Sequence, residues 1–127
     1  MSKESIVEDI LKAIMANDVK QFRARLFELS NIEIASLRLM EEELNVLQTI
    51  CFYNAESMIE VIRERFKDDE GCSFQLGDYG EPYQGNKALH FAVLSGNMYI
   101  IDFILNELKA DPKQVTKTGL NALHCAA

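Results

Sequence analysis

The chain has 127 residues, 48% hydrophobic and 26% charged, the content of one domain with a modest core. Twenty acidic against thirteen basic side chains give a formal net charge of −7, a field that repels phosphate backbones and anionic lipid and so argues against nucleic acid or membrane as a partner. Three cysteines at wide spacings, an N-terminus MSKESIVEDILK with no signal-like apolar run, and a densest apolar stretch of only seven residues, Tyr99 to Leu105, itself interrupted by Asp102, predict a reducing, cytoplasmic setting, or the cytosolic face of a membrane within a larger protein.

Ile6, Val7, Ile10, Leu11 and Ile14 recur at helical spacing, with Ser5 and Glu8 placed as a capping box, and predict a helix ending near Ala16. After Asn17-Asp18, the stripe Val19, Phe22, Leu26 and Leu29 predicts a second helix to about Leu29. Ser30 to Met40 fits neither the helical nor the strand period well and reads equally as a loop or a short helix. The run Glu41-Glu42-Glu43 reads as the acidic first turn of a helix starting near Leu44, where carboxylates favour the positive dipole end. That helix carries Leu44, Leu47, Ile50 and Cys51; Asn54 interrupts it, and Met58, Ile59, Val61 and Ile62 form the next stripe. Cys72 to Leu76 alternates like a strand and Gly77-Asp78-Tyr79-Gly80 supplies turn chemistry, which predicts a projecting hairpin finger. A third pair follows: Leu89, Ala92 and Val93, then Gly96-Asn97, then Ile100, Ile101, Ile104 and Leu105.

Asn17, Asn54 and Gly96 each stand where one helix must give way to the next through a left-handed residue, a conformation these two types tolerate best. They are 37 and 42 residues apart, whereas GNKALHFA at Gly85 and GLNALHCA at Gly119 are 34 apart. A period near that value, with insertions, predicts an all-α solenoid of stacked helix-turn-helix units.

The motif G-x-x-A-L-H-x-A, followed by S-G-N-x-x-I-I-x-x-I-L and A-D-P, resembles the ankyrin repeat. The resemblance implies that Leu89 and Ala92 face the core, that Gly96 ends an inner helix, and that His90 and His124 are structural, hydrogen-bonding between neighbouring turns, as Leu123 repeats Leu89. It divides residues 1–127 into a capping repeat at about 3–40, a second at 41–84 with a finger at 66–84, a third at 85–118 and a truncated fourth at 119–127. Departures are visible: Lys87-Ala88 and Asn121-Ala122 replace Thr-Pro, so Asn86 is the expected cap of the third unit. Leu108 looks inserted, and Lys109 stands where the family has glycine. The last ten residues, TGLNALHCAA, are also similar to repeats in ankyrin arrays preceding the catalytic region of some protist palmitoyltransferases. The Asp-His-His-Cys motif of those enzymes is absent here, so that likeness implies a regulatory or substrate-recruiting arm, with chemistry elsewhere.

No catalytic, metal or cofactor chemistry is expected. The cysteines lack a C-x-x-C pair, Ser95 lacks a G-x-S-x-G context, and Gly77 to Gly80 lacks the lysine of a phosphate loop. The inner helices of such a stack present a stripe with no internal role. On it the register places Met15, Phe52, Tyr53, Phe91, Leu94 and Ser95, and the finger adds Phe74, Asp78, Tyr79, Glu81 and Tyr83. These predict a protein-binding surface for a segment bearing Lys or Arg, with aromatic anchors and carboxylates at the rim. The apolar Leu120, Leu123 and Ala126 predict a cut edge that frays, refolds or pairs with another molecule, self-association included, the chain being read as a piece of a longer array.

Overall fold

The fold was analysed in a computed structural model that describes residues 3–110 and 113. Residues 119–127, with Leu123 and His124, lie outside the described residues, and so do the expectations placed on them.

Helix α1 (Lys3–Ala16) buries Ile6, Ile10, Ala13 and Ile14 on one stripe and ends where Asn17 turns left-handed at φ 56°. Ser5 is already inside this helix, so the expected Ser5–Glu8 box does not stand at its start. Asp18 caps α2 (Val19–Leu26), accepting from the Gln21 N–H at 3.2 Å. α2 ends before Leu29, where the Arg65 guanidinium, reaching from the next unit, donates to the carbonyls of Leu26 and Leu29 and to the side chain of Asn31. The ambiguous segment is a short helix, α3 (Asn31–Ser36), closed by a Ser30–Glu33 capping box.

Leu39 and Leu44 then pair in an isolated antiparallel bridge, with Met40 and Glu43 both at positive φ. Glu41, Glu42 and Glu43 therefore form the tip of a tight turn and not the first turn of a helix. Asn45 supplies the cap, in a reciprocal box with Gln48, and α4 (Val46–Phe52) follows. Asn54, at φ 55°, ends it; a 3-10 turn (Glu56–Met58) leads into α5 (Ile59–Phe66).

The expected hairpin finger is a helix, α6 (Glu70–Asp78), capped by Asp69. Cys72 and Leu76 satisfy the i, i+4 spacing of a helix as well as the alternation of a strand. The discriminating residue is Phe74, which a strand would bury with them and which here is 65% exposed, while Cys72, Leu76 and Gly77 are buried. Third comes α7 (Ala88–Ser95). Its start is organised by Lys87 and His90, not Asn86: the Lys87 N–H donates to Nδ1 of the fully buried His90 at 2.9 Å. Gly96 at φ 71° ends α7, Asn97 caps α8 (Met98–Asp102), and the chain continues as a π-helical turn, Phe103–Glu107.

Two layers result. α4 lies along α7 and touches α1, giving an inner layer; α2, α5 and α8 with its π turn form the outer one. Their shared core runs from Ile10 and Phe22 through Leu47, Ile50 and Met58 to Leu89, Ile100 and Phe103. The inter-helix turns also interlock, the Asn97 side chain donating to Asn54 Oδ1 at 2.7 Å and the Asn17 side chain to Ser57 Oγ at 3.4 Å.

Candidate functional site: an aromatic face and an acidic turn edge

At its C-terminal end α4 presents Phe52, 51% exposed although large and apolar. Its ring lies edge-on to Tyr53 (centroids 5.1 Å apart) and to Phe91 of α7 (6.3 Å), both half-buried. Leu94 and Ser95, exposed, continue the patch along α7, and Met15 is exposed on the neighbouring inner helix α1. Phe52 is thus in contact with two other residues predicted for the stripe, and three more lie on the same layer.

The opposite end of α4 meets the turns. Tyr79 donates its hydroxyl to the Glu43 carbonyl at 2.7 Å, and Tyr83 donates to the Glu41 carbonyl at 3.1 Å, so the turn after α6 is laced to the acidic turn before α4. Arg38 lies 3.8 Å over the Tyr79 ring. Burial, ahead of the opposing field of Arg38, raises the Tyr79 phenol above its ordinary value. Tyr83 and the carboxylates of Glu41, Glu42 and Glu43 remain exposed. Asp78 is exposed but engaged, 3.0 Å from the Lys87 ammonium.

Glu81 does not belong to any exposed rim. It is 4% exposed, and its carboxylate accepts from the backbone N–H groups of Tyr83 (2.7 Å), Gln84 (2.8 Å) and Asn86 (3.2 Å). Burial pushes its acidity down, but those donors together outweigh that and hold the carboxyl below its usual range. Phe74 is also displaced from the predicted site. It stands on α6 and lines an outer-layer cleft together with Phe66 and Phe103.

Two polar residues that sequence reasoning passed over hold this edge. Gln48, fully buried, donates to the carbonyls of Tyr79 (3.1 Å) and Asn86 (2.6 Å), and buried Asn45 donates to Leu76 at 2.9 Å. Their signal was present in the letters N-x-x-Q at 45–48, a capping box whose free amide hydrogens are available for distant carbonyls. Thr49, on the same helix, is buried and bonds back to the Asn45 carbonyl at 2.8 Å.

The remaining polar groups are structural. Ser95 donates to the Ala92 carbonyl at 3.0 Å, away from His90, whose Nδ1 is an acceptor for Lys87. Burial drives the Cys51 thiol far above its ordinary range and raises Cys72 as well, so neither is a ready nucleophile. Among the described residues no three His, Cys, Asp or Glu side chains are grouped to hold a metal ion.

Stacked helical pairs joined by left-handed turns, with side-chain bonds running from unit to unit, define a helical-repeat protein. Its fold is that of the ankyrin repeat: residues 84–117 match the family model described as "Ankyrin repeat". The whole fold is similar to a chain in the crystal structure of the yeast ribosomal protein Rps3 in complex with its chaperone Yar1, with a TM-score of 0.81 and 21% identity over 99% of this chain and 85% of that one. No curated protein matches the chain in sequence.

Proposed function

We propose that this chain is a non-catalytic protein-interaction module that seats a partner segment across its inner helices. The observation that carries the reading is the Phe52–Phe91 contact: a half-exposed aromatic side chain backed by two further rings is the composition of an interface anchor. α4 sets the scale of the surface. Its seven residues at 1.5 Å rise separate the aromatic end from the acidic turn by roughly 10 Å, a span that three extended residues cover.

The partner segment carries Lys or Arg, because Glu41, Glu42 and Glu43 are exposed at one end of that span and the chain as a whole is at −7. The solved complex of similar fold pairs a ribosomal protein with its chaperone, which supports a role in holding a partner without naming one. Along the chain we assign repeats at about 3–40, 41–84 and 85–118. Buried, unpaired thiols at Cys51 and Cys72 fit a reducing compartment and hence the cytoplasm. No helix among the described residues is long and apolar enough to cross a membrane.

The test is a titration of the labelled chain with acetyl-Phe-Leu-Lys-Arg-Lys-amide, followed by amide spectra. Shifts at Phe52, Phe91 and Glu42 that weaken about tenfold in Phe52→Ser and in Glu42→Lys are expected; shifts confined to other faces, or equal affinity for an Asp/Glu version of the peptide, would sink the proposal.

A further inference from the structure

The outer layer contains a cleft of about 710 Å³ that the inner-face reading leaves unused. It is lined by Phe66 on α5, Phe103 on the π turn, Leu108 just after that turn and Phe74 on α6. Three departures from a regular stack meet at this one place. α6 lies in the stretch that exceeds the repeat length, and it brings Phe74 there 65% exposed. The outer helix of the third unit is wound as a π turn where it lines the cleft, a geometry that recurs at functional sites. Lys109, at the rim, is held left-handed at φ 56°, a conformation that disfavours lysine by about 1 to 2 kcal/mol.

The charge at the rim is opposite to that of the molecule. Arg63 and Glu107 satisfy each other in a two-pronged pair (2.7 and 2.6 Å) that clamps α5 to the π turn. Lys67 and Lys109, both exposed, have no ion-pair partner among the described residues, and Glu70 is the remaining acid of the lining. Two lysines against one glutamate leave a positive surplus on a chain whose net charge is −7.

We propose that this outer cleft is a second protein-docking site, for a short segment that inserts one large apolar side chain between Phe74 and Leu108 and sets flanking Asp or Glu side chains against Lys67 and Lys109. Its chemistry is the inverse of that proposed for the inner face, so the two surfaces hold different segments. The apolar floor supplies anchoring, as hot-spot pockets do, and the lysines supply orientation and select against basic segments.

The probes are acetyl-Asp-Leu-Phe-Asp-Glu-amide and its counterpart acetyl-Lys-Leu-Phe-Lys-Lys-amide, titrated into the labelled chain. The acidic peptide is expected to shift the amides of Gly71, Phe74 and Lys109, to bind at least about tenfold more tightly than the basic one, and to weaken with added salt. Phe74→Ser and the double change Lys67→Glu with Lys109→Glu should each lower that affinity at least about tenfold; all three sites are exposed, so the variants retain the parent amide spectrum elsewhere. Three outcomes would overturn the proposal: no shift with either peptide, equal binding of both, or shifts at Phe52 and Phe91 instead of the cleft. A fourth would overturn it in favour of a second copy: concentration of the chain alone shifting the same amides, with dimerisation that Phe74→Ser abolishes. Because Phe52→Ser leaves this cleft intact, failure here and failure of the inner-face reading are separable.

Discussion

The turns at Asn17, Asn54 and Gly96 and the segment from Asp69 to Lys87 solve the same problem, how to carry the chain from one helix to another, by opposite means. At the first three, a single residue goes left-handed, and after Asn17 and Gly96 the adjoining Asp18 and Asn97 cap the next helix, so the backbone turn is made locally and the bonds from Asn17 to Ser57 and from Asn97 to Asn54 only join one such turn to another. The longer segment is fixed by groups 31 to 42 residues away: Gln48 and Asn45 hold the carbonyls of Leu76, Tyr79 and Asn86, and Glu41 and Glu43 receive the two tyrosine hydroxyls. A local turn can be rewritten by changing one residue. An anchored one fails when its distant anchor is lost.

The largest effect is expected for the part of the stack both regions share. Leu89, 1% exposed in the core between α4 and α7, should cost about 2 to 5 kcal/mol when changed to Ala, through lost transfer energy and a residual cavity. Chemical denaturation would show it as a lower midpoint with an unchanged slope. Gln48→Ala should come close, at about 3 kcal/mol, with no hydrophobic contact removed. It strands the buried N–H of Asn45 and the part-buried carbonyl of Tyr79, each loss costing about 1 to 3 kcal/mol less relaxation, and removes one of the two donors to the Asn86 carbonyl, which keeps the Glu81 N–H. Hydrogen exchange separates the two: Leu89→Ala lowers protection throughout, whereas Gln48→Ala should lower it first over Leu76 to Asn86.

Next in size is the local turn. Asn54→Val should cost about 1 to 3 kcal/mol, since a β-branched residue is strained at φ 55°, while Asn54→Gly should be nearly neutral, losing only the exposed bond from Asn97. Equal melting shifts for the two would show that the turn, too, depends on distant groups, and the contrast between the regions would collapse.

Glu81 tests the anchored segment through pH. Its carboxyl is held below its ordinary value in the folded chain, so the stability it contributes is present above the unfolded value of about 4.3 and is lost as pH falls through the lower, folded one. Glu81→Gln should therefore cost about 1 to 2 kcal/mol at neutral pH and progressively less below about pH 4, so that the two stability curves converge in acid. Parallel curves would mean that the carboxylate's charge contributes nothing to the turn.

The same contrast explains what could be read from the letters alone. Helical periods and left-handed Asn and Gly are written within a few residues of where they act, so the paired helices, their turns and the Phe52, Tyr53 and Phe91 cluster were legible. Even the absence of the family's glycine at 109 was informative, because Lys109 does adopt the glycine-like backbone. The error at Cys72 to Leu76 arose because five residues cannot distinguish period 2 from i, i+4; what decides is whether Phe74 finds a core, and that depends on the neighbouring elements. Glu81 was assigned to the surface on its charge. Its burial is stabilised by three main-chain donors that the turn itself creates, and no composition rule contains them. Gly80 adds a packing constraint of the same kind: a Cβ there would lie 2.9 Å from the Gly85 carbonyl oxygen.

The smallest effect should have the opposite sign. Lys109→Gly removes the Cβ penalty of the left-handed region, worth about 1 to 2 kcal/mol, and gives back part of it as extra freedom in the unfolded chain, leaving a net stabilisation of about 0.5 to 1 kcal/mol. A rise of a few degrees in melting temperature would measure it. The side chain lost is also one of the two lysines at the outer cleft, so the stabilised variant should bind the acidic peptide more weakly. Stability and binding moving in opposite directions at one residue would show that a locally strained turn is retained for what its side chain meets, which distinguishes Lys109 from Gly96, where the same backbone is made by the residue that suits it.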